Sequence, residues 1–72
     1  MNDTVTDENR YAVELREEDE APGWRVAIVD DAGVTVFERA CHDHTEARAY
    51  ASTVRQHIYW LSPERFREYY RL

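Results

Sequence analysis

Tyr11, Val13 and Leu15 alternate with Ala12, Glu14 and Arg16, the period of two that sends successive side chains to opposite faces of a strand. The run Glu17-Glu18-Asp19-Glu20 is too charged for a core, and Ala21-Pro22-Gly23 supplies turn chemistry, so a solvated loop is expected next. Trp24, Val26 and Ile28 then make one face of a second strand, with Arg25, Ala27 and Val29 on the other. Asp30-Asp31-Ala32-Gly33 reads as a hairpin connection in which Gly33 can take a positive φ. A third strand runs from Val34 to about Arg39; its VTVF run favours a strand but leaves the inward face open.

The period changes in the second half. Ala47, Ala51, Val54, Ile58 and Leu61 are spaced four, three, four and three residues apart, which is one stripe of a helix, widened by Tyr50 and His57. Asp43 with Glu46 forms a capping-box-like start, with Thr45 as the competing cap. Ser62-Pro63-Glu64 opens a second, short helix to about Tyr70, since Ser caps, Pro suits the first helical position and Glu suits the positive end of the dipole. Glu64 and Arg67, then Glu68 and Arg71, are three apart and placed to pair locally.

The expected architecture is α+β: a three-stranded antiparallel meander, a long amphipathic helix over residues 44–61 across one face, and a short C-terminal helix closing one end, βββαα. The expected core is Tyr11, Val13, Leu15, Trp24, Val26, Ile28, Val36, Ala47, Ala51, Val54, Ile58 and Leu61. Residues 1–9 are polar and aperiodic and are expected to form a disordered tail, with 10–72 as a single domain.

Size makes that core thin, because a domain of 72 residues buries only about 60% of its unfolded surface. A single cysteine, Cys41, excludes an intrachain disulfide. The opening Met1-Asn2-Asp3-Thr4 lacks the pattern of a signal peptide, and no apolar run reaches the roughly 20 residues needed to span a bilayer. A cytoplasmic location is expected.

Charge divides the chain. The basic residues are nine Arg and no Lys, against fifteen Asp plus Glu, for a net charge of -6. Residues 1–43 hold four Arg and twelve acids, net -8, whereas residues 44–72 hold five Arg and three acids, net +2. Either a GC-rich genome, whose codons favour Arg, or life in molar salt accounts for this composition. The overall field opposes approach to nucleic acid, although the second half taken alone does not.

The densest set of metal-ligand chemistry is Cys41, His42 and His44, a thiol and two imidazoles. No second Cys or His pair stands at finger spacing, so neither a metal site nor a cofactor is expected. Neighbouring residues of an extended chain point to opposite faces, so Cys41 and His42 are badly placed as a nucleophile and its base; a buried structural thiol is expected. With two glycines there is no phosphate-cradling loop either, and the chain reads as noncatalytic. Arg55, Tyr59, Trp60, Arg65, Phe66, Arg67, Tyr69 and Tyr70 form the candidate interaction set, a mixture that suits a protein contact and also the stacking and phosphate contacts of single-strand binders.

The lysine-free acidic composition, the start MNDTVTDE and the block EARAYASTVRQHIYWLSPERFREYY resemble the small uncharacterised proteins encoded by halophilic archaea. That resemblance spans most of the chain and implies no activity. Strands followed by a helix opening EARAYA are also loosely similar to HicB-type antitoxin domains, whose partner-binding signatures are not evident here. The expected function is a noncatalytic protein-interaction or regulatory module, as a homodimer or with another protein; the alternative is a small nucleic-acid-binding protein using the Arg and aromatic C-terminal helices.

Overall fold

WRVAIV, residues 24–29, is the least polar of the three extended segments, with Arg25 its one charged position, and a strand of that composition belongs where both faces are covered. The computed structural model of the chain describes residues 9–19 and 23–72. Five elements occur in the expected order: β1 (Ala12–Glu17), β2 (Trp24–Val29), β3 (Thr35–Cys41), α1 (His44–Trp60) and α2 (Pro63–Tyr70). The sheet is antiparallel in the order β1-β2-β3, so β2 is central. The architecture is therefore α+β, a βββ meander followed by a long and a short helix.

Register assigns the faces. Val13, Ile28 and Phe37 lie side by side across the three strands, as do Leu15, Val26 and Arg39, and then Glu17, Trp24 and Cys41. Over the apolar members of this face lies α1. Val26 and Cys41 meet Ala47 and Ala51, while Ile28 meets Val54. The small alanines of α1 thus face Val26 and Cys41, and the bulkier Val54 and Ile58 further along the helix pack with Ile28.

Two core assignments change. Val36 is 37% exposed. Between Ile28 and Val29 the register against β3 slips, with Val29 opposite Thr35 and Ile28 opposite Phe37, so Val36 is the extra residue of a bulge. Phe37 takes the inward role instead, its ring 5.6 Å from that of Tyr70 and edge-on to it. Strand β3 also runs two residues past Arg39, because Cys41 still pairs with Trp24.

The second change concerns α2. Phe66 is fully buried and Tyr70 is 8% exposed. Placed at i and i+4 on one helical face, they close the end of the core together with Tyr11, whose ring stacks on Phe66 at 4.9 Å. Both stood among the expected interaction residues. A sheet this small has no other large side chains to fill that end, so they serve as core.

Helix boundaries follow from side-chain caps. Asp43 Oδ1 accepts from Glu46 N at 2.8 Å, and Glu46 Oε1 accepts from His42 N at 2.6 Å. This is a capping box whose return bond reaches one residue further back than usual. Pro63 forces Ser62 into an extended conformation and lacks an N–H to continue α1, so the chain breaks there. Ser62 Oγ then accepts from Arg65 N at 3.2 Å. The C-terminal end of α2 turns through Arg71 at φ 59°, and Leu72 N donates to Arg67 O at 3.0 Å in a Schellman-type closure.

Of the tail expected over residues 1–9, only Asn9 lies among the described residues. It is tied to the fold, donating from Nδ2 to Leu61 O at 3.4 Å and accepting from Tyr11 N at 3.0 Å. The part of the expected loop at residues 20–22 also falls outside the described residues. Among the described residues no helix is long and apolar enough to cross a membrane.

Candidate interaction surface

The two broad faces of the molecule treat charge differently. On the face of the sheet away from α1, Ala27 lies between Glu14 and Glu38 in register, with Arg16 paired to Arg25 beside it. Because Ala27 is small, Arg16 stretches across β2, reaching Glu38 at 3.0 Å and holding Glu14 at 2.9 Å. Its guanidinium also meets Thr35 Oγ1 at 3.0 Å. Arg25 is held by Glu18 at 3.0 Å. Ala27 is thereby buried without a helix above it. Opposite charges on neighbouring strands satisfy one another, leaving this face little to offer a partner.

The helical face is the reverse. Among the described residues no carboxylate lies within 4.0 Å of the guanidiniums of Arg48, Arg55, Arg65, Arg67 or Arg71. The local pairs expected between Glu64 and Arg67 and between Glu68 and Arg71 are not formed. These side chains are exposed, and at an exposed site water competes with an ion pair worth well under about 1 kcal/mol.

The outward side of α1 carries the largest exposed apolar groups. Tyr59 is 86% exposed and Trp60 73%. Residues Ser52, Arg55, Gln56, Tyr59 and Trp60 line one groove of about 440 Å³ that is open to solvent. Helical spacing explains the cluster: with Ala51, Val54, Ile58 and Leu61 committed inward, positions 52, 55, 56, 59 and 60 must turn away.

The candidate interaction residues thus separate into three groups. Arg55, Tyr59 and Trp60 come together at the groove. Arg65 and Arg67 are exposed on α2 but do not line it. Tyr69 is 62% exposed and tilts against His57 with ring centroids 4.5 Å apart. Phe66 and Tyr70 are withdrawn into the core, where His57 Nδ1 and the Tyr70 hydroxyl lie 2.7 Å apart. Burial, with Tyr50 and Tyr69 adding to it, pushes that hydroxyl up to about 12.

Cys41, His42 and His44 do not converge. The Cys41 side chain is buried against Val26, Ala47 and Ala51, and its Sγ contacts Arg39 O at 3.9 Å. Burial first, and the Glu46 charge second, push its thiol up, away from the thiolate that a nucleophile or a zinc ligand requires. His44 packs instead on Trp24, ring centroids 4.6 Å apart. Among the described residues no group of three or more His, Cys, Asp or Glu side chains is placed to hold a metal ion.

From the sequence Ser52 and Gln56 are expected on the solvated side of α1 but not within the interaction set, and the structure places both beside Tyr59 and Trp60 in the groove. The helical wheel carries that signal, since both fall opposite the Ala47, Ala51, Val54 stripe. No protein-family model, curated protein or solved structure matches the chain.

Proposed function

We propose that the chain is a noncatalytic interaction module of the cytoplasm that binds another protein surface, a second copy of itself included, through the outward face of α1. One observation carries this reading. Tyr59 and Trp60 stand side by side, 86% and 73% exposed, on a helix whose other face is already committed to the core. Aromatic side chains supply large contact area with few rotatable bonds, which is why they anchor interfaces. A lone exposed aromatic means little; two beside Arg55, which has no carboxylate partner among the described residues, form a patch.

Light scattering tests the reading. In salt of ~0.15 M and of ~2 M, the wild-type chain should give a mass above that of a monomer. The Tyr59→Ser/Trp60→Ser double variant should return to the monomer. A wild-type chain that stays monomeric near millimolar concentration in both salts counts against self-association.

A second reading rests on the arginines of α1 and α2, which have no carboxylate partner among the described residues. A small nucleic-acid-binding protein would use them on phosphates, with Trp60 or Tyr59 stacking on a base. Such binding weakens steeply as salt rises, whereas burial of aromatic surface does not. The two readings therefore part on salt dependence alone.

A further inference from the structure

Hydrogen-bond parity fixes which way the backbone of β1 points. Glu18 N donates to Gly23 O at 2.7 Å, and these two residues continue the register of β1 on β2 beyond Glu17 and Trp24. Bonded pairs alternate along an antiparallel ladder. Arg16, Glu14 and Ala12 therefore bond to β2, whereas Val13, Leu15 and Glu17 turn their N–H and C=O groups to the open side. Tyr11 turns the same way, and its N–H donates to Asn9 Oδ1 at 3.0 Å. Asn9 closes the edge there; among the described residues no strand pairs with the window from Val13 to Glu17.

We infer that two copies of the chain join β1 to β1, antiparallel about a two-fold axis at Leu15, so that one sheet runs through both. The inference rests on the self-association reading above and adds the strand that brings the copies together.

Of the registers that this parity allows, one fits. Centred on Leu15, the pairing sets Val13 opposite Glu17 and Glu14 opposite Arg16, repeated by symmetry, and it engages every open backbone group of the window. Centring on Glu14 would set that residue against itself and call on Tyr11, whose N–H is taken; centring on Arg16 would set Arg16 against itself. Like charges directly opposite are destabilising. Glu14 and Arg16 fall in the pairs without hydrogen bonds, where Cα atoms approach to about 4.5 Å, so the opposite charges lie close. Within one chain these two already hold one another on the sheet face at 2.9 Å; the second copy adds an opposite charge beside each. Val13 and Leu15 face α1 yet are only half-buried, since β1 is an edge strand, and Leu15 against Leu15 covers both copies.

The same pairing brings a carboxylate to the helical face. Tyr50, on one flank of α1, meets Phe37 and Arg39 of β3, so the opposite flank, with Arg48, Ser52, Arg55 and Tyr59, overhangs β1. Arg55 follows Val54, which packs with Ile28 in the row of Val13. Glu17 of the other copy stands opposite Val13, exposed and on the α1 side of the sheet, and so comes beside Arg55.

Charge exchange reads the register. Glu14→Arg sets like charges opposite one another in a homodimer, as does Arg16→Glu, whereas a mixture of the two variants restores opposite charges at both positions. By light scattering at ~0.15 M salt, each variant alone should dissociate roughly tenfold more readily than the wild type, and the mixture should recover the wild-type affinity. In the wild type, the amides of Val13, Leu15 and Glu17 should exchange more slowly as protein concentration rises, a readout that depends on no variant. A dimer lost in Tyr59→Ser/Trp60→Ser but indifferent to both charge exchanges overturns the edge pairing and leaves the self-association reading through α1. A dimer that answers to the exchanges and survives Tyr59→Ser/Trp60→Ser upholds the edge pairing and overturns the α1 reading. A strict monomer overturns self-association by either route, and amides of the window that ignore concentration overturn the edge pairing.

Discussion

Arg71 occupies the left-handed region at φ 59° without being a glycine, a conformation that costs an ordinary L-residue about 1–2 kcal/mol. Its side chain is exposed, so little packing is lost on truncation. Arg71→Gly should raise stability by about 0.5–1 kcal/mol, read as a higher urea midpoint at unchanged slope. An unchanged or lower midpoint would show that Arg71 holds the turn by a contact of its own. Tyr70 gives a second prediction at this scale. A tyrosine hydroxyl ionises near pH 10 in an unfolded chain and near 12 in this fold, so folding favours its protonated form. That contribution is fully present below about pH 10 and is lost as pH rises towards 12, at up to about 1.4 kcal/mol per pH unit. Denaturation measured from about pH 9 to about pH 12 should show this decline in the wild type and a shallower one in Tyr70→Phe. The same variant should be about 0.5–1.5 kcal/mol less stable at neutral pH from loss of the His57 hydrogen bond. Equal slopes would mean that the hydroxyl is solvated after all.

Elements are defined here by their ends as much as by their periods. The Asp43 cap satisfies one orphan donor of α1, and Glu46 turns back to bind the chain entering the helix. Asp43→Ala should cost about 1 kcal/mol, measured by thermal or chemical unfolding; a loss under a few tenths would mean that Thr45 takes over as the cap. Such signals make element order and type legible from sequence. Ser-Pro-Glu marks the start of α2, and the four, three, four, three spacing marks the inner face of α1. Strand β3 is less legible for a physical reason: VTVF is apolar at both parities, and a bulge at Val36 shifts the register that parity would set. The aromatics of α2 are hard to read for another. Phe66 and Tyr70 share a face with spacing i, i+4, but Tyr69 lies beside them and eight residues are too few for a period to stand out. Burial of that face depends on an open end of the sheet, which no local pattern records. At the candidate surface, Arg55, Tyr59 and Trp60 are legible because α1 is long enough for inward and outward positions to separate.

The whole molecule segregates its chemistry. One face of the sheet neutralises its arginines against glutamates, while the arginines of the helical face, beside exposed aromatics, have no carboxylate partner among the described residues. The net charge of -6 repels itself at low ionic strength, and salt removes that penalty. Raising KCl into the molar range should therefore raise the melting temperature markedly. A flat or falling melting temperature would sink the halophilic reading of this composition and leave codon bias as its cause. The placement of Phe66 and Tyr70 has a further consequence, for the order in which the chain is made. A ribosome delivers the meander first and α1 next, yet the pocket beside Ile28 and Val54 closes only when residues 66 and 70 arrive. Folding of this domain is thus tied to completion of its last helix, and a stalled ribosome would hold out a sticky half-domain.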